Sequence, residues 1–96
     1  MALSHYLATL NQTAQLLTLT SAQEGAYGKE VTIAIQNLHS SHYVFLGDST
    51  VTTSSYGFRI DPGQTFTATL NVDDEIYAVT DTGTTNVGLI RVLHND

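Results

Sequence analysis

The chain reads as an all-β domain, an antiparallel β-sandwich or small barrel of seven to eight short strands with an N-terminal arm. Three observations predict this. Runs in which apolar and polar residues alternate recur along the chain, the period-two signature of half-buried strands. The runs are cut by Gly, Asp, Asn and Ser clusters and by the single Pro, residues that favour turns for distinct steric and hydrogen-bonding reasons. No interior segment sustains a helical spacing. Strands joined by tight turns must pair antiparallel, and many short antiparallel strands close into a sandwich or barrel.

Residues 1–28 differ from the rest and read as an arm followed by a first strand, with the sandwich over 29–96 and a single domain in all. Leu3, Tyr6, Leu7 and Leu10 recur at a helical spacing, but Thr9, Asn11 and Thr13 are poor helix formers. The arm over 1–13 is therefore expected as a short helix or as an extended segment, ordered by whatever it touches. Leu17 and Leu19 mark a strand over 16–20. Gly25 and Gly28 break the loop that follows. Val31, Ile33 and Ile35 then alternate with Thr32, Ala34 and Gln36. Residues 37–42 are polar and turn-like, 43–46 form a continuous apolar run, 47–49 a tight turn and 51–53 a short edge strand. Phe58 and Ile60 flank Arg59 on a further strand. Asp61-Pro62-Gly63-Gln64 has the composition of a type II turn, with Pro pre-set for position i+1 and Gly supplying positive φ at i+2. Phe66, Ala68, Leu70 and Val72 alternate with Thr65, Thr67, Thr69 and Asn71, the cleanest apolar/hydroxyl alternation in the chain. Two more strands are expected over 76–79 and 87–93, separated by the Asp81-Thr82-Gly83-Thr84 turn.

Composition excludes several function classes. At 96 residues the fold is marginal without help. With no cysteine, disulfides and thiolate metal sites are ruled out, so oligomerisation or docking on a partner is the expected supplement. Three Lys+Arg against nine Asp+Glu give a net charge of −6, which argues against nucleic acid and anionic membrane surfaces as partners. No apolar run reaches the roughly 20 residues of a membrane span, and the first residues lack the basic start and unbroken apolar stretch of a secretory signal. A charged fraction of 12% leaves a surface rich in Thr and Ser. Neutral hydroxyls desolvate more readily than charges and suit protein contact.

Candidate chemistry is sparse. His39 and His42 would need further ligands to hold a metal, and are read as exposed or hydrogen-bonded. The same applies to His5 and His94. Asp73, Asp74 and Glu75 offer too few oxygens for calcium and are read as turn residues. Gly47-Asp48-Ser49 superficially matches the nucleophile block of some lipolytic enzymes, but no helix pattern follows Ser49 and no partnered His and Asp are in evidence. No enzyme activity, no cofactor and no metal are expected. Among the aromatics, Phe58 and Phe66 are expected in the core, and Tyr56 in its loop is the one plausible exposed platform.

The order Gly-Asp-Ser-Thr-Val-Thr-Thr-Ser (47–54), Gly-Phe-Arg-Ile (57–60), Asp-Pro-Gly-Gln (61–64), the alternating strand, Glu-Ile-Tyr-Ala-Val (75–79), Thr-Gly-Thr (82–84) and Val-Gly-Leu-Ile-Arg-Val (87–92) resembles a small β-sandwich module of tailed bacteriophages. The resemblance covers residues 31–93, with a closing strand over 89–93. It implies a virion structural protein, most specifically a capsid decoration (cement) protein. Such a protein is made in the host bacterial cytoplasm, displayed on the capsid surface and assembled as a homo-oligomer, with a trimer favoured. Its implied partner is the major capsid protein or another virion protein. A tail, connector or head-fibre-base subunit is the alternative within the same class, and a glycan-binding host-adhesion module using Tyr56 and Tyr43 is the alternative outside it. The arm residues Leu3, Tyr6, Leu7 and Leu10 are the expected partner contacts.

Overall fold

The computed structural model describes residues 2–17, 30–71 and 74–94. Eight strands run through them: β1 (Ala2–Leu10), β2 (Gln15–Leu16), β3 (Glu30–Asn37), β4 (Val44–Gly47), β5 (Phe58–Ile60), β6 (Thr65–Asn71), β7 (Tyr77–Thr80) and β8 (Thr85–His94). They form two four-stranded sheets, ordered β1-β8-β3-β6 and β2-β7-β4-β5. Every ladder is antiparallel. Strand β1 pairs with β8, β2 with β7, β3 with β6 and β4 with β5. The chain is thus one long hairpin, doubled back between β4 and β5 and rolled so that successive rungs fall in alternate sheets. This is the double-sheet roll of eight-stranded jelly-roll domains.

Alternation builds the core between the sheets. Strand β3 buries Val31, Ile33 and Ile35 and β8 buries Val87 and Leu89; Ile33, Ile35, Val87 and Leu89 form one cluster with Val44, Leu46, Ile60 and Ala78 of the other sheet and with Leu10 and Leu17. The apolar side of β6, read from its Thr alternation, faces the same way: Phe66 and Leu70 pack against this cluster while Thr65, Thr67 and Thr69 stay exposed. Thr32 and Thr69 are register partners on the outer side, and their hydroxyls lie 3.1 Å apart.

A second apolar cluster forms on the far side of β4 and β7, where Phe45 and Val79 are buried with Val51. The 48–57 loop folds back over that side to cover them. It is held by Val51 N donating to Asp48 O (3.0 Å), by the reciprocal bonds of Thr52 and Ser55 (2.8 and 3.2 Å) and by Gly57 N donating to Leu46 O (2.8 Å). Gly47 permits this approach, since a Cβ there would lie 3.0 Å from Val51 Cγ2. The Asp48 carboxylate accepts from Thr50 N (2.8 Å) and Thr50 Oγ1 (2.6 Å). Those two bonds hold its pKa below the usual 3.8.

Several expectations change in the three-dimensional context. Of the two conformations left open for the arm, the chain adopts the extended one. All nine residues of β1 pair with β8, from Ala2 opposite Leu93 to Leu10 opposite Thr85, and this ladder overrides the helical spacing. The expected edge strand over 51–53 is instead a tight turn with a single bridge between Thr52 and Ser55. Phe58, expected in the core, is 46% exposed. It does point inward, but β5 is the last strand of its sheet, so the ring closes the open side of the sandwich against Phe66 at 4.7 Å between centroids. The expected strand over 16–20 is seen as Gln15–Leu16, continued by Leu17 N donating to Ile76 O at 2.8 Å. Residues 18–20, Val72 and Asp73 lie outside the described residues.

The 37–42 segment, turn-like by composition, opens on a buried polar side chain that joins several segments. Asn37 is fully buried. Its Nδ2 donates to His42 O (2.8 Å) and Ile60 O (3.1 Å), and its Oδ1 accepts from His39 N (3.0 Å). Its backbone N donates to Gln64 O (3.0 Å) and its carbonyl accepts from Gly63 N (3.1 Å). One residue therefore ties the end of β3 to the β3–β4 loop, to β5 and to the β5–β6 turn. Nearby, Thr80 and Thr85 are buried with hydroxyls 2.6 Å apart; Thr80 donates to Tyr43 O (3.1 Å) and His42 Nδ1 lies 3.0 Å from Thr85 Oγ1. This links the β7–β8 turn to the same loop.

Three outcomes follow for the fold. Asn37→Ala leaves two carbonyls and an amide without their partner, at about 1–3 kcal/mol for each buried group left unsatisfied. Asn37→Asp, which cannot donate to the two carbonyls, should lower the urea midpoint at least as far as Ala does. The β5–β6 turn has Gly63 at φ +78° and Gln64 N donating to Asp61 O at 2.9 Å, the type II geometry expected from the sequence. Nothing lies within 4 Å of a Cβ at Gly63. Gly63→Ala should thus show backbone strain alone, about 1–2 kcal/mol, read by thermal denaturation. Because folding lowers the Asp48 pKa below 3.8, the loop gains stability that is fully present above that value and lost as pH falls through the lower folded value. Carboxyl NMR should find the Asp48 midpoint below 3.8 in the folded protein and less depressed in Thr50→Ala, which loses the hydroxyl bond and keeps the backbone one.

Candidate docking face

The outer side of the β1-β8-β3-β6 sheet carries exposed apolar groups that the fold itself does not use. Period two on β1 puts Leu3, His5, Leu7 and Thr9 outward, with Leu3 66% and Leu7 62% exposed. In register beside them on β8 stand Val92, Ile90 and Gly88, with Ile90 48% exposed and opposite both His5 and Ala34. The missing side chain at Gly88 leaves an open depression of about 490 Å³, walled by Leu7, Gln36 and Ile90 and reaching Thr65. Leu38, also exposed, leans over its rim, with Cδ1 3.7 Å from where a Gly88 Cβ would lie. Beyond it the Thr side chains of β6 continue the surface. In a chain of net charge −6 this face is nearly free of formal charge. Among the described outward residues of the sheet, Glu30 at one end of β3 carries one. An apolar stripe in a neutral surround is inexpensive to desolvate, which makes this sheet face the candidate docking surface.

The expected contact residues separate on this geometry. Leu3 and Leu7 stand on the outer face. Leu10 is fully buried in the core cluster and packs its own domain. The backbone of Tyr6 pairs with Leu89, and its side chain lies outside the described residues. Ile90, Gly88 and Leu38 were not singled out from the sequence. Alternation along 87–93 was legible, but which of its sides met solvent depended on the partners of β8.

The remaining candidates lie away from this face. His39 and His42 stack at 3.5 Å between centroids and 4° between planes. His39 Nδ1 accepts from Ser41 N (3.0 Å) and His42 N (3.1 Å), while His42 Nδ1 faces Thr84 O (3.1 Å) and must donate to it. No group of three or more metal-ligating side chains gathers among the described residues. Asp74 and Glu75 are exposed. In the 47–49 turn the Asp48 carboxylate is taken up by Thr50, and Ser49 is exposed with no helix behind it. Of the three cations, Lys29 lies outside the described residues, Arg91 is 5% exposed, and Arg59 pairs with Asp61 at 2.8 Å.

The β5 edge is the other surface with character. Tyr56 is 46% exposed with its ring edge-on to Phe45 at 4.7 Å. Tyr43 is half-buried beneath Arg59, whose guanidinium carbon lies 5.0 Å from the ring centroid. Tyr56, Phe58, Arg59, Asp61 and Gln64 border an open depression of about 490 Å³.

No family model matches the chain and no curated protein is similar to it. Among solved structures it is similar in fold to a subunit of the Bacillus endospore appendages, described as a novel family of disulfide-linked pili. The TM-score is 0.53 at 13% identity, covering 96% of this chain and 85% of that one. At that identity the likeness concerns the fold, a double-sheet β architecture shared over nearly the whole chain.

Proposed function

We propose that the chain is a structural subunit of a bacteriophage particle, a capsid decoration protein that binds the assembled head through the outer face of its β1-β8-β3-β6 sheet. The observation that carries this reading is the group of Leu3, Leu7 and Ile90 standing together in solvent on a nearly uncharged sheet. The order of turn and strand motifs over 31–93 supports it, as does the eight-stranded roll, an architecture that viral capsid domains use, though fold alone assigns no function. The partner is the major capsid protein, the chain acts as a homo-oligomer with a trimer as the expected state, and its location is the capsid surface. Binding is associative: a protein that recognises only the assembled lattice stabilises it by mass action.

Deleting the first strand would remove Leu10 from the core and the whole β1–β8 ladder, so point substitutions are the cleaner probe. Leu7→Asp and Ile90→Asp sit on exposed positions and should leave the circular dichroism spectrum unchanged. Burying one such side chain contributes about 1.5–3 kcal/mol, so each should weaken co-sedimentation with undecorated capsids by about tenfold or more. Full occupancy by the double variant would reject this face.

A second reading is a subunit of an extracellular filament, favoured by the fold likeness to the endospore appendage chain. With no cysteine, such a filament would be held without disulfides. Electron microscopy of the concentrated protein separates the two: filaments indifferent to reductant support this second reading, and discrete oligomers that add to heads support the first.

A further inference from the structure

We propose that the β5 edge is a second binding site, and that its ligand is a neutral carbohydrate. The site is distinct from the docking face, sharing only Thr65 at the margin. Two aromatic rings are presented there, Tyr56 and Phe58, each 46% exposed. Neither is loose. Phe58 leans on Phe66 and Tyr56 stands edge-on to the buried Phe45, both at 4.7 Å. Their orientations are therefore set before any ligand arrives, which lowers the ordering entropy that binding must overcome. A ring that is half packed and half bare offers a flat apolar surface with no further ring contact among the described residues.

The polar groups around the rings decide what that surface takes. Arg59 and Asp61 are held against each other at 2.8 Å, and Arg59 is further fixed over Tyr43. Their charges cancel, so the site offers no net attraction for a phosphate, a carboxylate or a cation. What remains is hydrogen-bonding capacity: the second Asp61 oxygen, the free guanidinium N–H groups, the Gln64 amide and the Thr65 hydroxyl. A ligand that matches must be uncharged, carry several hydroxyls and have one apolar face to lie on a ring. A pyranose meets all three conditions, with its C–H face against Tyr56 or Phe58 and its hydroxyls toward Asp61 and Gln64. The volume of about 490 Å³ is within the range of small-molecule sites.

The test is a 15N–1H NMR titration of the intact protein with neutral hexose oligosaccharides, with candidates chosen by glycan array. The expected result is millimolar binding with shifts concentrated over residues 56–65. Tyr56→Ala and Gln64→Ala should weaken it about tenfold without loss of fold, while Leu7→Asp leaves it intact. Three results would each overturn the proposal: no array signal and no shifts up to about 50 mM sugar, shifts confined to the outer face of the other sheet, or equal affinity for sialylated glycans. Binding that survives both Tyr56→Ala and Gln64→Ala would place the ligand elsewhere and would equally overturn it. Because Leu7→Asp tests head binding and Tyr56→Ala tests sugar binding, the two proposals fail separately.

Discussion

The fold turns on one buried amide. Asn37 ends β3, where the chain must leave one sheet and cross to the other, and at that corner backbone groups of three segments lose their ladder partners. The side chain satisfies two carbonyls and one amide there, and its own backbone engages the β5–β6 turn. A buried polar group with every bond made is rigid, and one with a bond missing is a liability. This hub ties the end of β3 to β5 and to the β5–β6 turn, across the two sheets.

The molecule has two unlike outer sides. The sheet containing β2 and β4 is roofed by the 48–57 loop, which buries Phe45 and Val79 beneath Val51. The sheet containing β1 and β8 has no such roof among the described residues, and its outward Leu3, Leu7 and Ile90 remain in solvent. Among the described residues one apolar face is covered by a loop and the other is not, so the two sides are built asymmetrically. The uncovered side is the one poor in charge, which is the ground for proposing a protein partner there, and the paired aromatic rings at β5 are the ground for proposing a smaller and more polar ligand.

Much of this was legible in the residues. The alternation of β3 and β6 and the Asp61-Pro62-Gly63-Gln64 turn depend on local sterics and period two, which neighbouring residues report directly. The structure reproduces them down to the positive φ of Gly63. What was not legible depends on partners far along the chain. Leu3, Tyr6, Leu7 and Leu10 carry a helical spacing, and only the presence of β8 opposite them makes the segment a strand. Phe58 sits on the side that alternation assigns, but its exposure follows from β5 being outermost, a property of strand order. Asn37 looks like any turn asparagine until Ile60, 23 positions on, brings it a carbonyl.

The rolled hairpin has a kinetic consequence. Its rungs nest, so the β4–β5 pair closes the shortest stretch of chain and the β1–β8 pair the longest, with Ala2 opposite Leu93. Closure entropy grows with the span enclosed, and topologies dominated by distant pairings fold slowly. Assembly from the tip outward leaves β1 as the last strand to dock. Until it arrives, the margin of β8 stays open as a template for any extended segment, including the same strand of a neighbouring molecule.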